Sequence, residues 1–447
     1  MNPTGASRGA PAAVLVVGAL ALGLSTAGLA AGVEPIPTWY YPLAWYPTLL
    51  IADAVVALRE GRFFLLSRPA VLLTLLAWSV PFWLFFELVN LRLANWYYVF
   101  VPDDRVARWT GIALSYATVL PAILLAERAL RSFRVALELR ITRLRVGPRL
   151  LAVLQVVGVA MLALSLAWPR GFFPLIWGSV TLIVDPWVYR RDPERSLIGD
   201  LERGRAGRIA RLLLGGLAIG LVWELLNIGA RGKWIYTVPG FEEWKLFEMP
   251  VLGFLGFPVF ALDGFVTWQA LVVGGVAVPA DEPGEASPGP GNGGAPPALA
   301  RFATAAFATL FSALVLLSME RGTIASTTPR LEELPGIPVD RLEESGFDVF
   351  SLAEAEPVRV ARIGGTTVAG ARAWIEDARL ATLRGIGTDG LAALRAVGIV
   401  SVEDLASAEP SRLADRLSGA GRPVPDPRVR VWVRAARSSE GTAPGKP

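Results

Sequence analysis

Runs of about 20 predominantly apolar residues recur through most of this chain, the length a helix needs to cross a hydrocarbon core of roughly 30 Å. They place spans near 12–33, 41–58, 70–90, 109–126, 150–167, 172–189, 211–229, 249–278 and 298–318. Composition agrees: of 447 residues, 53% are hydrophobic and 18% charged, where a soluble domain carries about a quarter. The first run follows Arg8 and contains small residues, as a secretion signal does. It is longer than the apolar stretch of such a signal, and it is expected to be retained.

Arginines orient these spans. Arg59, Arg62 and Arg68 lie between spans two and three, and seven arginines from Arg128 to Arg149 lie between four and five. A third group, from Arg190 to Arg211, separates six from seven. These loops are expected to face the cytoplasm, with the N-terminus inside, and nine spans then place the C-terminal region outside. Loops 91–108 and 230–248 face out and carry the Trp and Tyr of an interfacial belt. Lysine occurs only at 233, 245 and 446, and with abundant Ala and Gly this suggests a GC-rich genome and a prokaryotic cytoplasmic membrane. The net charge of +4 is accounted for by the inner loops and does not call for a nucleic-acid partner.

A repeat runs through the apolar region. Pro42-Leu43-Ala44-Trp45 leads to Asp53, and Pro174-Leu175-Ile176-Trp177 leads to Asp185. Glu87 and Asn90, followed by Trp96, Tyr98 and Pro102, match Glu224 and Asn227, followed by Trp234, Tyr236 and Pro239. Pro121 matches Pro258. The expected fold is all-α: a membrane bundle of two tandem four-helix repeats (1–149 and 150–279), a Pro/Gly linker (280–297), one more membrane helix (298–320) and a soluble helical region. Even helix numbers keep both repeats the same way up, about a pseudo-two-fold along the membrane normal.

Carboxylates inside spans cost a few kcal/mol on insertion scales, so each needs a reason. Glu87/Asn90 and Glu224/Asn227 are spaced i, i+3, which puts each pair on one helix face. One reading is a paired site near the two-fold axis, with Glu87 and Glu224 as proton donors or polar anchors and Asn90, Asn227, Trp96, Tyr98, Trp234 and Tyr236 binding substrate. Another is interhelical hydrogen bonding that fixes packing. Asp263, deep in the eighth span, is a third catalytic candidate. Asp53 and Asp185, near inner helix ends, read as caps or as ion-pair partners of Arg59 and Arg191. Glu127 reads as a partner of Arg128. No Cys and no His occur, which removes disulfides, thiol nucleophiles, Cys/His zinc sites and Ser-His-Asp triads. No cofactor or metal is assigned, and any catalysis must rest on carboxylates, Tyr, Arg, Lys, Ser/Thr or an all-oxygen metal site.

Asp53, Phe86-Glu87, Trp96 and Pro121, then Asp185, Trp223-Glu224, Trp234 and Pro258, give the membrane units a pattern that resembles the repeated unit of small membrane-embedded lycopene cyclases. The resemblance covers roughly 41–265. In place of that family's Pro-x-Glu-Glu, the second unit has Leu246-Phe247-Glu248-Met249. It implies redox-neutral proton chemistry on an isoprenoid chain, in which a carboxylic acid protonates a double bond and a carboxylate later removes a proton.

Residues 331–437 contain a second duplication, copies 331–379 and 380–437, ahead of a tail at 438–447 expected to be disordered. Leu334-Pro335-Gly336-Ile337 matches Leu383-Arg384-Gly385-Ile386, and Ala355-Glu356-Pro357 matches Ala408-Glu409-Pro410. This resembles tandem helix-hairpin-helix domains, with hairpins at 334–338, 363–367, 383–387 and 417–421. The resemblance makes Gly385 and Gly387 phosphate-contact candidates. Residues 330–379 carry six arginines and ten carboxylates, and 380–437 nine and six, which does not make the continuous basic face of a DNA binder. A protein partner fits this domain better than nucleic acid. Three functions follow: binding or processing of an isoprenoid or lipid, a membrane scaffold recruiting through the C-terminal domain, or a proton-coupled transporter.

Overall fold

A computed structural model describes residues 9–238, 245–280 and 297–441. The linker expected at 280–297 lies outside these residues except for its two ends, as do positions 442–447. Nine helical segments among the described residues are long and apolar enough to cross a membrane, and their positions follow the apolar runs. Contacts divide the chain into two units, described separately below.

The first unit takes residues up to 95, then 109–230 and 238–321. Its helices are α1 (Gly9–Ala30), α2 (Ile36–Glu60), α3 (Pro69–Leu93), α4 (Arg105–Tyr116), α5 (Val119–Ser132) and α6 (Pro148–Ala167). They continue with α7 (Pro169–Phe172), α8 (Ser179–Arg191), α9 (Leu197–Glu202), α10 (Gly207–Gly229), α11 (Gly256–Val273) and α12 (Ala298–Gly322). The chemistry of the ends is local. Pro69 and Pro148 start helices where a missing N–H costs nothing, and Gly61 closes α2 at φ +83. Helix α1 lies along α2, and α6 along α8; α2 meets α5, and α8 meets α11; α3 meets α5, and α10 meets α11. The same pairings thus recur in both halves. One difference matters below: α2 runs unbroken through Tyr46, whereas its counterpart is cut at Gly178, which has φ +85 and directly precedes α8.

The second unit takes residues 96–108, 231–237 and 322 onward. Strands β1 (Trp96–Val99) and β2 (Lys233–Tyr236) pair antiparallel, Trp96 opposite Tyr236 and Tyr98 opposite Trp234. This register matches the sequence repeat, since Trp96 and Trp234 exchange places about the Tyr97–Ile235 pair. Residues 323–328 add parallel bridges to the other edge of β1, with Tyr98 N–H donating to Thr323 O and Ala325 N–H to Tyr98 O, both at 2.8 Å. The chain is therefore predominantly but not wholly helical; a second short pair, β3 (Lys245–Leu246) and β4 (Met249–Pro250), belongs to the first unit. Trp96, Tyr97 and Tyr98, expected at an interfacial belt, are buried instead.

The rest of the second unit is α13 (Val339–Glu344), α14 (Val349–Ala353), α15 (Pro357–Gly364) and α16 (Val368–Thr382), then α17 (Gly387–Ala396), α18 (Val402–Ser407), α19 (Pro410–Gly419) and α20 (Asp426–Gly441). Side chains N-cap α14 (Asp348) and α18 (Ser401), and Pro357 and Pro410 open α15 and α19. Gly346 and Gly398 hold matching turns at φ +81 and +79, where only glycine sits without strain. One core runs through these eight helices, from Leu342 and Val360 to Leu405 and Trp432. Helix α20 continues to Gly441, past the point where a tail was expected to begin.

Candidate functional site

Asp53 and Asp185 each hold backbone amides of the stretch that follows their own helix. Asp53 accepts from the backbone N–H of Phe64 (2.6 Å), Leu65 and Leu66 (2.8 Å). Asp185 accepts from Leu197 N–H, Ile198 N–H (2.8 Å) and the Ser196 hydroxyl (2.9 Å). Asp53 thus satisfies amides ahead of α3 and Asp185 those that open α9, groups that would otherwise lack partners. The cap reading holds, but the arginines named for it do not take part: Arg59 lies over Phe133 and Arg191 over Trp187. Glu127 likewise pairs with Arg211 at 2.7 Å, while Arg128 takes Glu60.

Glu87, Asn90, Glu224 and Asn227 are all fully buried. One oxygen of Glu87 accepts from Trp83 Nε1 at 2.9 Å and from the Tyr116 hydroxyl at 3.2 Å. Asn90 receives the backbone N–H of Asn95 on its side-chain oxygen and shapes the turn that ends α3 at Ala94, φ +53. Its side-chain oxygen is thus engaged in the fold.

Aromatic rings cluster beside Glu87. Trp83 meets Trp223 at 5.5 Å between centroids and Phe260 edge-on at 5.5 Å. Two stacks cross between the halves: Trp45 on Trp223 at 5.8 Å and Trp177 on Phe86 at 5.5 Å. Because Trp45 corresponds to Trp177 and Phe86 to Trp223, each stack is the counterpart of the other. Ring faces are electronegative and attract cations. A dry nest of indole and phenyl faces beside a carboxyl group is suited to passing a proton to an apolar ligand and shielding the cation that results.

The two acids do not have the same surroundings. At the repeat offset, the donors Trp83 and Tyr116 correspond to Gly220 and Gly253. The Phe257 ring fills the place of the missing indole: a Cβ on Gly220 would stand 2.2 Å from it, and one on Gly253 would stand 2.4 Å from Met249 Sδ. The two positions that donate to Glu87 are therefore glycines in the second half.

Asp263 is occupied in another way. Its carboxylate accepts from Gly178 N–H (2.8 Å), Thr181 N–H (2.8 Å) and the Thr181 hydroxyl (2.6 Å). It caps α8 at the break described above, satisfying amide groups a helix start leaves open. That accounts for its burial without chemistry, and the sequence signal for it was Trp177-Gly178 rather than the acid itself.

No family model, no curated protein and no solved structure matches the chain. The site is therefore read from its own residues.

Trp96, Tyr98, Trp234 and Tyr236 belong to the strand pair of the second unit, where Trp234 Nε1 donates to the Tyr236 hydroxyl at 2.9 Å. The glutamates belong to the first unit. Gly385 and Gly387, both at positive φ, lie against protein rather than open surface. A Cβ on Gly385 would stand 2.1 Å from Val99, and one on Gly387 2.7 Å from Ser326. The hairpin that resembled a phosphate clamp packs on β1 and on the segment leading into the domain. Sequence reasoning also missed Trp83, Tyr116 and Phe260. Trp83 could have been found, since i, i+4 spacing puts it on the same face as Glu87.

Proposed function

We propose that this is an integral membrane protein of a prokaryotic cytoplasmic membrane that binds or processes an isoprenoid or similarly hydrophobic lipid between two four-helix repeats, by redox-neutral acid–base chemistry. The observation that carries the reading is Glu87, buried and held by Trp83 and Tyr116 inside the aromatic nest. Proton transfer from a carboxyl group to a ligand double bond leaves a carbocation and a carboxylate. Loss of a neighbouring proton to a carboxylate restores a neutral, rearranged ligand, so no oxidant is consumed. Glu87 and Glu224 are the acid–base candidates, Asn227 and the rings the surround. Asp263 is left out because α8 uses it.

The C-terminal region is read as two helix-hairpin-helix copies on the outer side of the membrane. Glycines at positive φ in each expected hairpin (Gly336, Gly365, Gly385 and Gly421) support the first point. Packing with β1 and β2, from loops that the arginines place outside, supports the second. With the Gly385–Gly387 hairpin covered, a protein or intramolecular role is favoured over nucleic acid.

The test is mass spectrometry of hydrophobic molecules that copurify with the wild type and with Glu87→Gln/Glu224→Gln. An isoprenoid held by the first and lost or altered in the second is the expected result. Bulk phospholipid alone in both samples would leave the glutamates as packing elements.

A further inference from the structure

Two sets stand out among the arginines of 128–149 and 203–211. One set is spent inside the protein: Arg203, Arg205 and Arg208 converge on Asp200, Arg211 on Glu127, and Arg128 on Glu60. The other set, Arg134, Arg140, Arg143, Arg145 and Arg149, is exposed and takes part in no ion pair among the described residues. Apart from Thr142 and Glu138, the side chains between them are apolar. Leu139, Ile141 and Leu144 stand 45%, 44% and 38% exposed, and Glu138 is the one acid in the stretch.

Such a run would ordinarily be a loose loop, yet its backbone is fastened. Ile141 N–H donates to Gly204 O (3.1 Å), Leu144 N–H to Leu201 O (3.0 Å), and Ala206 N–H to Leu139 O (3.1 Å). The chain turns into this track through Arg134 and Ala136, both at positive φ, and the Ala136 carbonyl would stand 2.3 Å from a Cβ on Gly207. Strain and close approach of this kind persist only where surrounding contacts fix them. The result is a rigid comb of cations and aliphatic side chains at the inner ends of α5 and α6.

We propose that residues 133–149 form a binding surface for anionic phospholipid of the inner leaflet. Guanidinium groups pair with headgroup phosphates, and the interleaved Leu and Ile side chains enter the acyl boundary. The apolar teeth select a lipid over a free phosphate, which has nothing to offer them. The surface is separate from the aromatic nest and does not depend on what that nest binds.

The experiment uses the full-length protein purified from bilayers of mixed phosphatidylglycerol and phosphatidylcholine, with retained lipid counted by native mass spectrometry. Arg140→Gln/Arg143→Gln/Arg145→Gln is expected to lower the phosphatidylglycerol affinity at least tenfold, each basic group at a membrane surface contributing on the order of fivefold. The corresponding triple lysine variant should keep most of the binding. Arg170→Gln, outside this segment, should change nothing. Should the glutamine variant fail to insert, the wild type decides: raising salt from 50 to 500 mM is expected to release phosphatidylglycerol, and 20 mM inorganic phosphate is not. Retention that ignores both the substitutions and salt overturns the proposal and leaves these arginines as orienting charges only. Displacement by inorganic phosphate overturns the lipid assignment.

Discussion

The two halves of the first unit agree where they hold themselves together and disagree where they could act. Asp53 and Asp185 perform the same task on equivalent loops, and the Trp45–Trp223 and Trp177–Phe86 stacks are counterparts. Around the glutamates the correspondence stops. The first half supplies Trp83 and Tyr116 as donors, and the second has Gly220 and Gly253 with Phe257 packed into the gap. Duplication provides two equal acids. Divergence of a few neighbours has made their surroundings unequal.

The comparison breaks most readily at the clasps. Asp53→Ala and Asp185→Ala each strip buried backbone amides of a charged acceptor and should each cost about 3 kcal/mol. Thermal unfolding in detergent checks this; losses that differ greatly between the two would deny them a common role. Gly220→Ala comes next. It drives a methyl group into the Phe257 ring, for an expected loss of about 2 kcal/mol, whereas Trp83→Ala at the equivalent position should open space and leave Phe257 undisturbed. Tyr116→Phe sharpens the contrast with less force. Removing one donor to Glu87 should cost about 1 kcal/mol and alter whatever lipid copurifies, and a variant that changes neither sinks the asymmetry.

The smallest effect lies in the second unit and depends on pH. Backbone N–H of Val400 and the Ser401 side chain hold the Asp404 carboxyl below its usual range, and the N–H groups of Arg412 and Ser411 do the same for Glu409. Both groups release their protons more readily folded than unfolded. Their contribution is complete above about pH 4, the ordinary carboxyl range, and is lost as pH falls through the lower folded values. Hydrogen exchange of residues 397–420 in the full-length protein, corrected for intrinsic rates, should show opening in acid. Asp404→Asn should flatten that response.

Much of the fold was legible because the membrane makes length and apolarity decisive: the nine expected spans lie within a few residues of the helices found. The break at Gly178 was not, since an apolar run reads the same whether or not a glycine interrupts it. The candidate site was half legible. Burial of Glu87 and Glu224 followed from their place in spans, but the donors to Glu87 come partly from α4, and no local pattern announces a contact 29 residues away. The strand pair was hidden for a related reason. Trp96-Tyr97-Tyr98 has the composition of an interfacial belt, and only its partners at 233–236 and 323–328 make it a buried ribbon.

That ribbon also imposes an order on biosynthesis. Its central strand emerges after the third span, its first neighbour after the seventh and its last after the ninth. Until the final segment has left the translocation machinery, β1 has an open edge able to pair with any passing strand. Completion of the sheet thus waits for the ninth span, and a chain cut before residue 323 keeps an unfilled edge on β1.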